Sequence, residues 1–341
     1  MFPSNRTTRR YAIIMAAAAA FAMLAPVGDT WAASVRGERV TLIVPNSAGG
    51  LMVRYARMIA PFIAKHAEAD EVRVRIMTGG GNIRGTNYLW FAEPDGTTIG
   101  FTSIPSLILA QLSGSEAVQF DTTQLVYLGR AATEPRVLIV GTHSGIETAE
   151  DLMSLDRPFI YPSQGTDEDF YSMVVLARAL GMELKLIMGY DGNADTSMAV
   201  IRGDGDGQIT SWRASLGVIQ AGDERPVLTL GAERYPGYPD VPTATEVSLP
   251  ESHDAVEAIT NMLEMHRGFF GPPGLDAQAT AELRAAIAAA LEDPELIAES
   301  ERQRLPLLPS DGETEQAKIQ QITEASAVIV PIMQAALERI R

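Results

Sequence analysis

The sequence contains no cysteine, and histidine occurs only four times in 341 residues. Without cysteine, disulfide bridges, zinc–thiolate sites, iron–sulfur clusters and cysteine nucleophiles are excluded. The histidines, His66, His143, His253 and His266, are scattered and form no H-E-x-x-H pair, so the sequence offers no metal site. We therefore expect neither a metal nor another cofactor, and stability must come from packed cores.

Basic residues are also scarce, because 27 Lys and Arg stand against 43 Asp and Glu, for a net charge of −16. A surface of this charge repels nucleic-acid phosphates, so we expect no nucleic-acid partner. A small organic anion stays open as a ligand, because backbone N–H groups and helix N-termini bind anions inside a site whatever the surface charge.

An uncharged apolar run of fifteen residues, Tyr11–Ala25, is shorter than the roughly 20 residues of a membrane-spanning helix. Three arginines precede it, and small residues follow it up to Ala32 and Ala33. This layout predicts a signal peptide at residues 1–32, cleaved near Ala32 or Ala33, and export to the periplasm. Sec and twin-arginine export both fit the arginines, and an uncleaved anchor is the alternative.

Nucleotide, calcium and hydrolase motifs are missing or incomplete. The run 79–85 departs from G-x-G-x-x-G, and no G-x-x-x-x-G-K-[ST] occurs. The run that starts at Asp191 lacks the glycine and the glutamate that an EF-hand loop needs. Ser163 lies outside a G-x-S-x-G elbow. These absences count against a nucleotide-binding protein, a calcium site and a serine hydrolase.

What the chain does contain is a repeated order of strand, loop and helix. Short apolar runs predict strands at residues 40–44, 72–76, 98–102, 137–140, 184–188, 208–211 and 227–230. Other stretches predict helices at residues 51–65, 83–92, 146–155, 167–180 and 193–201, and a helical tail beyond residue 276. This alternation is typical of α/β proteins.

Four loops after these strands are rich in glycine and small polar residues, at 45–50, 78–82, 162–166 and 189–193. Open α/β sheets bind ligands at the carboxyl ends of their strands. Glycine lets a ligand approach the backbone, and the N–H groups of a helix start favour a carboxylate or phosphate. Each loop alone is also explained as a turn or helix cap. Four of them together predict an anion site.

Several of these motifs resemble those of the substrate-binding receptors of tripartite tricarboxylate transporters, the Bug-type periplasmic proteins. The resemblance rests on order and spacing and covers essentially the whole chain after residue 32. The motifs that carry it are Val40-Thr41-Leu42-Ile43-Val44-Pro45 with Ala48-Gly49-Gly50 and Ala56-Arg57, Gly79-Gly80-Gly81-Asn82-Ile83 with Pro94-Asp95-Gly96, Tyr238-Pro239-Asp240-Val241-Pro242-Thr243 with Glu246, and Gly268-Phe269-Phe270-Gly271-Pro272-Pro273-Gly274.

The resemblance implies a type II periplasmic binding protein fold of the α/β class. Two α/β domains would be joined by two crossing strands, near residues 136–141 and 266–271. Domain I would comprise residues 33–141 and 267–341, and domain II residues 142–266. The ligand would lie between the two domains.

The resemblance also implies the residues of the site. Those that grip one carboxylate would be Asn46, Ser47, Ala48, Gly49, Gly50, Gly80 and Asn82. Those that reach the far end of the ligand would be Ser103, Ser163, Gly165, Thr166, Tyr190, Asp191 and Ser211. The chain departs from the family at Asn46, where many relatives carry a large apolar residue, and at Val53, where many carry an acid that can hold an amine or hydroxyl. The second departure argues against an amino-acid ligand.

The expected function is a periplasmic solute-binding receptor that performs no catalysis. It would capture a small carboxylate, such as a di- or tricarboxylate or an aromatic acid, and deliver it as a monomer to the membrane subunits of a transporter. Two alternatives remain open on the sequence, namely a periplasmic enzyme that acts on a small carboxylate and a ligand-sensing subunit of a signalling system.

Overall fold

The structure, a computed structural model, describes residues 33–133 and 135–340, and the predicted signal peptide lies outside these residues. The strands are β1 (Arg39–Val44), β2 (Glu71–Ile76), β3 (Thr98–Thr102), β4 (Val126–Arg130), β5 (Arg136–Gly141), β6 (Phe159–Ser163), β7 (Leu184–Met188), β8 (Gly207–Ser211), β9 (Glu224–Leu230), β10 (Gly268–Gly271) and β11 (Ser310–Asp311). The α-helices are α1 (Leu51–Ala67), α2 (Ile83–Trp90), α3 (Ile104–Leu112), α4 (Ala149–Met153), α5 (Glu168–Leu180), α6 (Asn193–Arg202), α7 (Trp212–Ala221), α8 (Ala244–Val247), α9 (His253–Leu263), α10 (Ala277–Leu291), α11 (Pro294–Gln303), α12 (Gly312–Ala325) and α13 (Val330–Ile340).

Six strands form one sheet in the order β11-β4-β10-β3-β1-β2. Strand β1 pairs in parallel with β2 and with β3, whereas β10 is antiparallel to β3 and β4. Alternate residues of β10 face opposite sides, as the two-residue period of a strand requires. Phe269 packs into a core with α1 and α10, and Phe270 packs into a second core with α3, α5 and α9. The sheet therefore lies between two helical layers.

The remaining strands form a three-stranded sheet, β8-β5-β9, and a parallel pair, β6-β7. These strands share a third core with one side of α5, which includes Met173 and Leu176. The other side of α5, including Phe170 and Val174, belongs to the core beneath the six-stranded sheet. Because α5 contributes to both cores, its first residues lie deep in the molecule. The two-domain division stays a prediction.

The α/β character predicted from the alternation of elements is confirmed, and β3 and β7 coincide with their predicted ranges. The pattern missed β4, α3, α7 and α9. Helix α3 is largely buried, so its sequence IPSLILAQL lacks the polar face by which a surface helix is recognised. Helix α4 is shorter than predicted because a capping box formed by Thr148 and Asp151 sets its start.

Two further facts concern the described residues alone. Within 33–133 and 135–340, no helix is both long enough and apolar enough to cross a bilayer. In the same part of the chain, no cluster of three or more histidine or carboxylate side chains is placed to hold a metal ion.

Candidate functional site

The loops after β1 and β2 leave the same edge of the six-stranded sheet side by side. The two strands run in parallel in a register that ends with Val44 opposite Ile76. Helix α2, which follows the second loop, then packs against the first loop at Gly85. A Cβ atom at this position would lie 2.8 Å from Pro45 Cβ and 3.0 Å from the Met77 oxygen. Only glycine allows this approach, so Gly85 holds the two loops together.

The helices that follow β1, β2 and β3 begin without side-chain caps. The N-cap residues of α1, α2 and α3 are Gly50, Asn82 and Ser103, and none of them makes a side-chain cap hydrogen bond within the described structure. The first N–H groups of a helix have no partner in the helix itself and carry the positive end of its dipole. At the start of α2, the N–H groups of Ile83 and Arg84 already donate to the Gly80 and Gly79 oxygens. The start of α1, which follows the adjacent strand, is therefore the better placed of these two to offer N–H donors to an anion.

Elsewhere in the chain the helix starts are mostly capped by side chains. Helix α5 is capped by Asp167 and α7 by Ser211, while Asp276, Asp293 and Asp311 cap α10, α11 and α12. Such caps stabilise a helix by about 1 kcal/mol each. The chain therefore uses caps widely but not at the starts of α1, α2 and α3.

Residues 45–50, 78–82 and 102–103 form the group that we call the first-sheet loops. Ser47, Ala48, Gly49 and Gly80 are exposed there, while Gly50 and Asn82 are half-buried. The Thr102 hydroxyl donates to Asn46 Oδ1 over 2.9 Å and so orients the amide, whose N–H₂ group then faces away from Thr102. Sequence reasoning assigned Ser103 to the far end of the ligand. The structure places it with the first-sheet loops, because β3 pairs with β1.

The other two predicted loops, 162–166 and 189–193, lie with the end of β8 in a second group. We call its residues 163–166, 189–193 and 210–211 the Asn193 loops. The N–H groups of Gly189 and Tyr190 both donate to the Ser163 oxygen. The Asn193 side chain donates to Thr210 Oγ1 over 3.0 Å and accepts from Gln164 Nε2. One asparagine therefore connects the ends of β6, β7 and β8.

Within the Asn193 loops, most of the predicted residues already have partners in the protein. The Ser163 hydroxyl donates to the Gly165 oxygen, Ser211 caps α7, and the Thr166 hydroxyl contacts that of Tyr171. Tyr190 and Asp191 instead line an open recess together with Asp195, Met198 and Arg202. Tyr190 and Asp191 thus have surroundings different from those of Ser163 and Ser211, which are the last residues of β6 and β8.

Glu168, the first residue of α5, connects the two groups of loops. Its Oε2 accepts from the Ser103 hydroxyl and, over 3.0 Å, from that of Ser106. Its Oε1 accepts from Arg136 Nη2 over 2.8 Å and lies 3.7 Å from His266 Nε2. The side chains of Ser103, Arg136, Glu168 and His266 are all buried or nearly so. This carboxylate is therefore held by groups from three separate segments, namely the start of α3, β5 and the residues before β10.

The three consecutive acids at the start of α5 differ in their electrostatics. Burial alone would raise the pKa of Glu168, but Arg136, His266 and the Ser103 hydroxyl outweigh it and lower the pKa to about 2. Burial raises the pKa of Asp169 to about 7, and the neighbouring carboxylates add to this in spite of Arg136, which lies 3.3 Å away. Burial also raises the pKa of Asp167, to about 6. Glu168 is thus the permanent anion of the three.

Sequence reasoning missed Thr102, Glu168, Arg136 and His266. A triplet of acids at a helix start is common, because acids there favour the helix dipole, so the run 167–169 gives no distinctive signal. The feature of the sequence that could have pointed to Glu168 is the position of this run directly after the glycine loop 162–166. Its partners are distant along the chain, Ser103 by 65 residues and His266 by more, and could not be paired with it from the sequence.

Two cavities lie beside this region without involving the first-sheet loops. One of about 140 Å³ separates Tyr55 on α1 from Trp212 on α7, next to Ser211, and is large enough for a few water molecules. Within the described structure, the buried Trp212 Nε1 has no hydrogen-bond partner. The other, of about 330 Å³, is lined by residues that include Thr133, Glu233 and Thr260. The larger of these two cavities thus lies away from the uncapped helix starts, although the N–H groups of those helix starts suit an anion better.

Comparison with known proteins gives a family match over most of the chain. The model of the tripartite tricarboxylate transporter family receptor matches residues 56–335. Protein BugT of Bordetella pertussis is 25% identical over 252 residues, which cover 72% of this chain and 75% of BugT.

Solved structures of similar fold cover nearly all of the described chain. MatC from Rhodopseudomonas palustris with bound malate has a TM-score of 0.68 at 19% identity, covering 86% of this chain and 99% of MatC. An R. palustris protein with adipate has a TM-score of 0.69 at 20% identity, covering 87% and 97% of the two chains. The periplasmic binding protein BugD has a TM-score of 0.67 at 20% identity, with the same coverage. The predicted periplasmic binding protein fold is thereby confirmed.

Proposed function

This chain belongs to the tripartite tricarboxylate transporter receptor family, and from that premise we propose that it is a solute receptor that binds a small organic carboxylate and delivers it to the membrane subunits of a transporter. MatC binds malate and the similar R. palustris protein binds adipate, which are both small carboxylates. A small carboxylate also suits the backbone N–H donors at the helix starts described above.

The observation that carries this proposal is the set of three uncapped helix starts at one sheet edge. The exposed Ser47 and Gly49 leave room for a ligand to reach the N–H groups at the start of α1, and the exposed Gly80 lies in the neighbouring loop. A carboxylate there accepts charge-assisted hydrogen bonds, which are stronger than bonds between neutral groups. We assign the grip on this carboxylate to Asn46, Ser47, Ala48, Gly49, Gly50, Gly80 and Asn82.

The remainder of the ligand would extend toward the Asn193 loops. We assign this role to Ser163, Gly165, Thr166, Tyr190, Asp191 and Ser211, with Ser103 at the border between the two groups. Residues 33–141 with 267–341, and residues 142–266, would move as two domains about the segments near Arg136 and His266. Closure would exclude water and strengthen the hydrogen bonds to the carboxylate.

Export and the absence of turnover belong to the same proposal. The receptor would act as a monomer in the periplasm after cleavage near Ala32 or Ala33, and it would release its ligand chemically unchanged. Mass spectrometry of gently purified protein tests both points, because it measures the mass of the mature chain and identifies a retained small molecule.

A thermal-shift screen against mono-, di- and tricarboxylates and aromatic acids tests the binding itself. At least one acid is expected to raise the melting temperature in a concentration-dependent way and to be recovered intact. A screen in which no carboxylate shifts the melting temperature, together with no retained acid, would overturn the proposed function.

A pair of variants at Ser47 tests where the carboxylate binds. Ser47→Asp places a resident carboxylate at the start of α1 and is expected to weaken binding of the best acid by roughly a hundredfold, because two like charges then share one site. Ser47→Asn has nearly the same size without the charge and should bind within a few fold of the wild type. Equal loss of affinity in both variants would place the ligand carboxylate elsewhere.

A further inference from the structure

The surroundings of Glu168 have the composition of an anion site. Two hydroxyls, a guanidinium and an imidazole converge on one carboxylate, from Ser103, Ser106, Arg136 and His266. Arginine in particular binds carboxylates through its planar fork of N–H donors, and here both Nε and Nη2 donate to Glu168 Oε1. The protein's own side chain therefore fills a position that is built to hold a carboxylate.

The position lies at the border of the candidate ligand site. Ser103 is the N-cap residue of α3, one of the three uncapped helix starts, and it directly follows β3, whose last residue Thr102 orients Asn46. On the other side, Glu168 directly follows Asp167, the cap of α5, and the loop 163–166. A ligand that spans from the first-sheet loops to the Asn193 loops would thus pass Ser103.

The hydrogen bond from Ser103 to Glu168 determines what Ser103 can offer a ligand. A serine hydroxyl has one proton to donate and two lone pairs that accept, whereas an ionised carboxylate only accepts. Because Glu168 takes the proton of Ser103, the remaining capacity of the Ser103 oxygen is to accept. A hydroxyl group of a ligand can donate to it, and a carboxylate cannot.

The charge balance acts in the same direction. Arg136 lies within 2.8 Å of Glu168 Oε1 and 3.3 Å of Asp169 Oδ1, so its positive charge is already matched inside the protein. A second ligand carboxylate near Ser103 would lie beside the negative charge of Glu168, and juxtaposed like charges oppose binding strongly.

We propose that Glu168 determines ligand specificity: it occupies the anion position formed by Ser103, Ser106, Arg136 and His266, so that this part of the site accepts a hydroxyl-bearing group of the ligand and rejects a second carboxylate. This inference rests on the proposed function, because it concerns the far part of the same ligand. It narrows the ligand class to hydroxylated monocarboxylates over dicarboxylates of equal length.

The test measures selectivity with ligands of matched length. Isothermal titration calorimetry would compare butyrate, 4-hydroxybutyrate and succinate, and the six-carbon set of hexanoate, 6-hydroxyhexanoate and adipate. The wild type is expected to bind the hydroxy acid of one set at least about tenfold more tightly than the dicarboxylate. In Glu168→Gln, which keeps the size but removes the charge, the affinity for the dicarboxylate should rise enough to abolish or reverse this preference.

Two control variants separate specificity from structure. Asp169→Asn removes the other carboxylate beside Arg136 but has no hydrogen bond to Ser103, so the preference for the hydroxy acid should persist. Ser103→Ala removes the acceptor and should reduce the advantage of the hydroxy acid over the unsubstituted acid to less than about twofold. Ser103→Ala also decides the question if Glu168→Gln does not fold.

A chemical rescue experiment provides an independent readout. Glu168→Ala leaves the four donors without their carboxylate, so sodium formate should raise its melting temperature more than sodium chloride at the same ionic strength. The wild type should show no such difference between the two salts.

The inference is overturned if the wild type binds a dicarboxylate as tightly as the hydroxy acid of the same length. It is equally overturned if the acids bind but Glu168→Gln leaves their ratio unchanged. Failure of the proposed function looks different, because then none of the tested carboxylic acids binds the wild type.

Discussion

The first-sheet loops and the Asn193 loops both follow strand ends, but they offer a ligand different chemistry. The first-sheet loops present uncapped helix starts and contain no ionisable side chain in residues 45–50 and 78–82. The Asn193 loops are connected by side chains, and three acids follow one of them at residues 167–169.

The difference suggests that the two groups of loops have different roles in one site. The backbone N–H groups of an uncapped helix start can bind any carboxylate, because they do not depend on the identity of the side chains. Side chains differ between proteins and can discriminate between the remaining parts of ligands. The following predictions test this comparison, beginning with the largest expected effect.

Arg136→Met should have the largest effect, because it leaves the carboxylates of Glu168 and Asp169 buried without their cation. Removing one partner of a buried ion pair destabilises a protein by about 3–5 kcal/mol. Chemical denaturation would measure the free energy of unfolding. Arg202→Met, which breaks an exposed pair with Asp204, serves as the control and should cost less than about 1 kcal/mol. Equal losses in the two variants would contradict a special role for the buried cluster.

Gly85→Ala tests the contact that holds the first-sheet loops together. The added methyl group meets Pro45 and the Met77 oxygen at 3.0 Å or less, so we expect a loss of about 1–3 kcal/mol in stability and weaker carboxylate binding. The matched control is Gly217→Ala in α7, where an added Cβ has no neighbour within 4 Å in the described structure. Alanine there should stabilise the helix by up to about 1 kcal/mol. Thermal unfolding of both variants would check the opposite signs.

The acids at the start of α5 should make stability depend on pH, while the first-sheet loops should not. The raised pKa of Asp169, about 7, means that the native state holds this proton more tightly than the unfolded chain does. Its contribution is complete below about pH 4 and is lost as the pH rises through 7. The lowered pKa of Glu168 has the opposite sign, and its contribution is lost only as the pH falls from about 4.5 toward 2.

Between pH 5 and 8 the wild type should therefore lose stability as the pH rises. Asp169→Asn should reduce this loss by an amount on the order of 1–3 kcal/mol, measured by urea denaturation at each pH. The slope should decrease without vanishing, because Asp167 has a pKa raised in the same direction. A slope that is identical in both proteins would mean that Asp169 does not titrate in this range.

The parts of the molecule that were predictable from the sequence are those that depend on neighbouring residues. The apolar run before Pro45 and the glycines at 49–50 and 79–81 predict a strand, a loop and a helix start without any knowledge of the rest of the chain. Strand β4 and helix α3 were not predicted. Helix α3 is buried on nearly all sides, so its sequence shows no alternation of polar and apolar residues with the helical period.

Only part of the grouping of the candidate site residues could be predicted from the sequence. Two loops on adjacent parallel strands must lie together, so the approach of residues 45–50 to 78–82 follows from the order of the strands. The position of Ser103 beside the first-sheet loops could not be predicted, because nothing local to it reveals that β3 pairs with β1.

Local composition is thus sufficient to predict the helix starts to which we assign the carboxylate, because a glycine-rich turn before a helix exposes backbone N–H groups in any fold. The packing of α5 between two cores decided that Glu168 reaches Ser103, Arg136 and His266. Such a contact depends on how distant segments are arranged in space, and a short stretch of sequence carries no information about that arrangement.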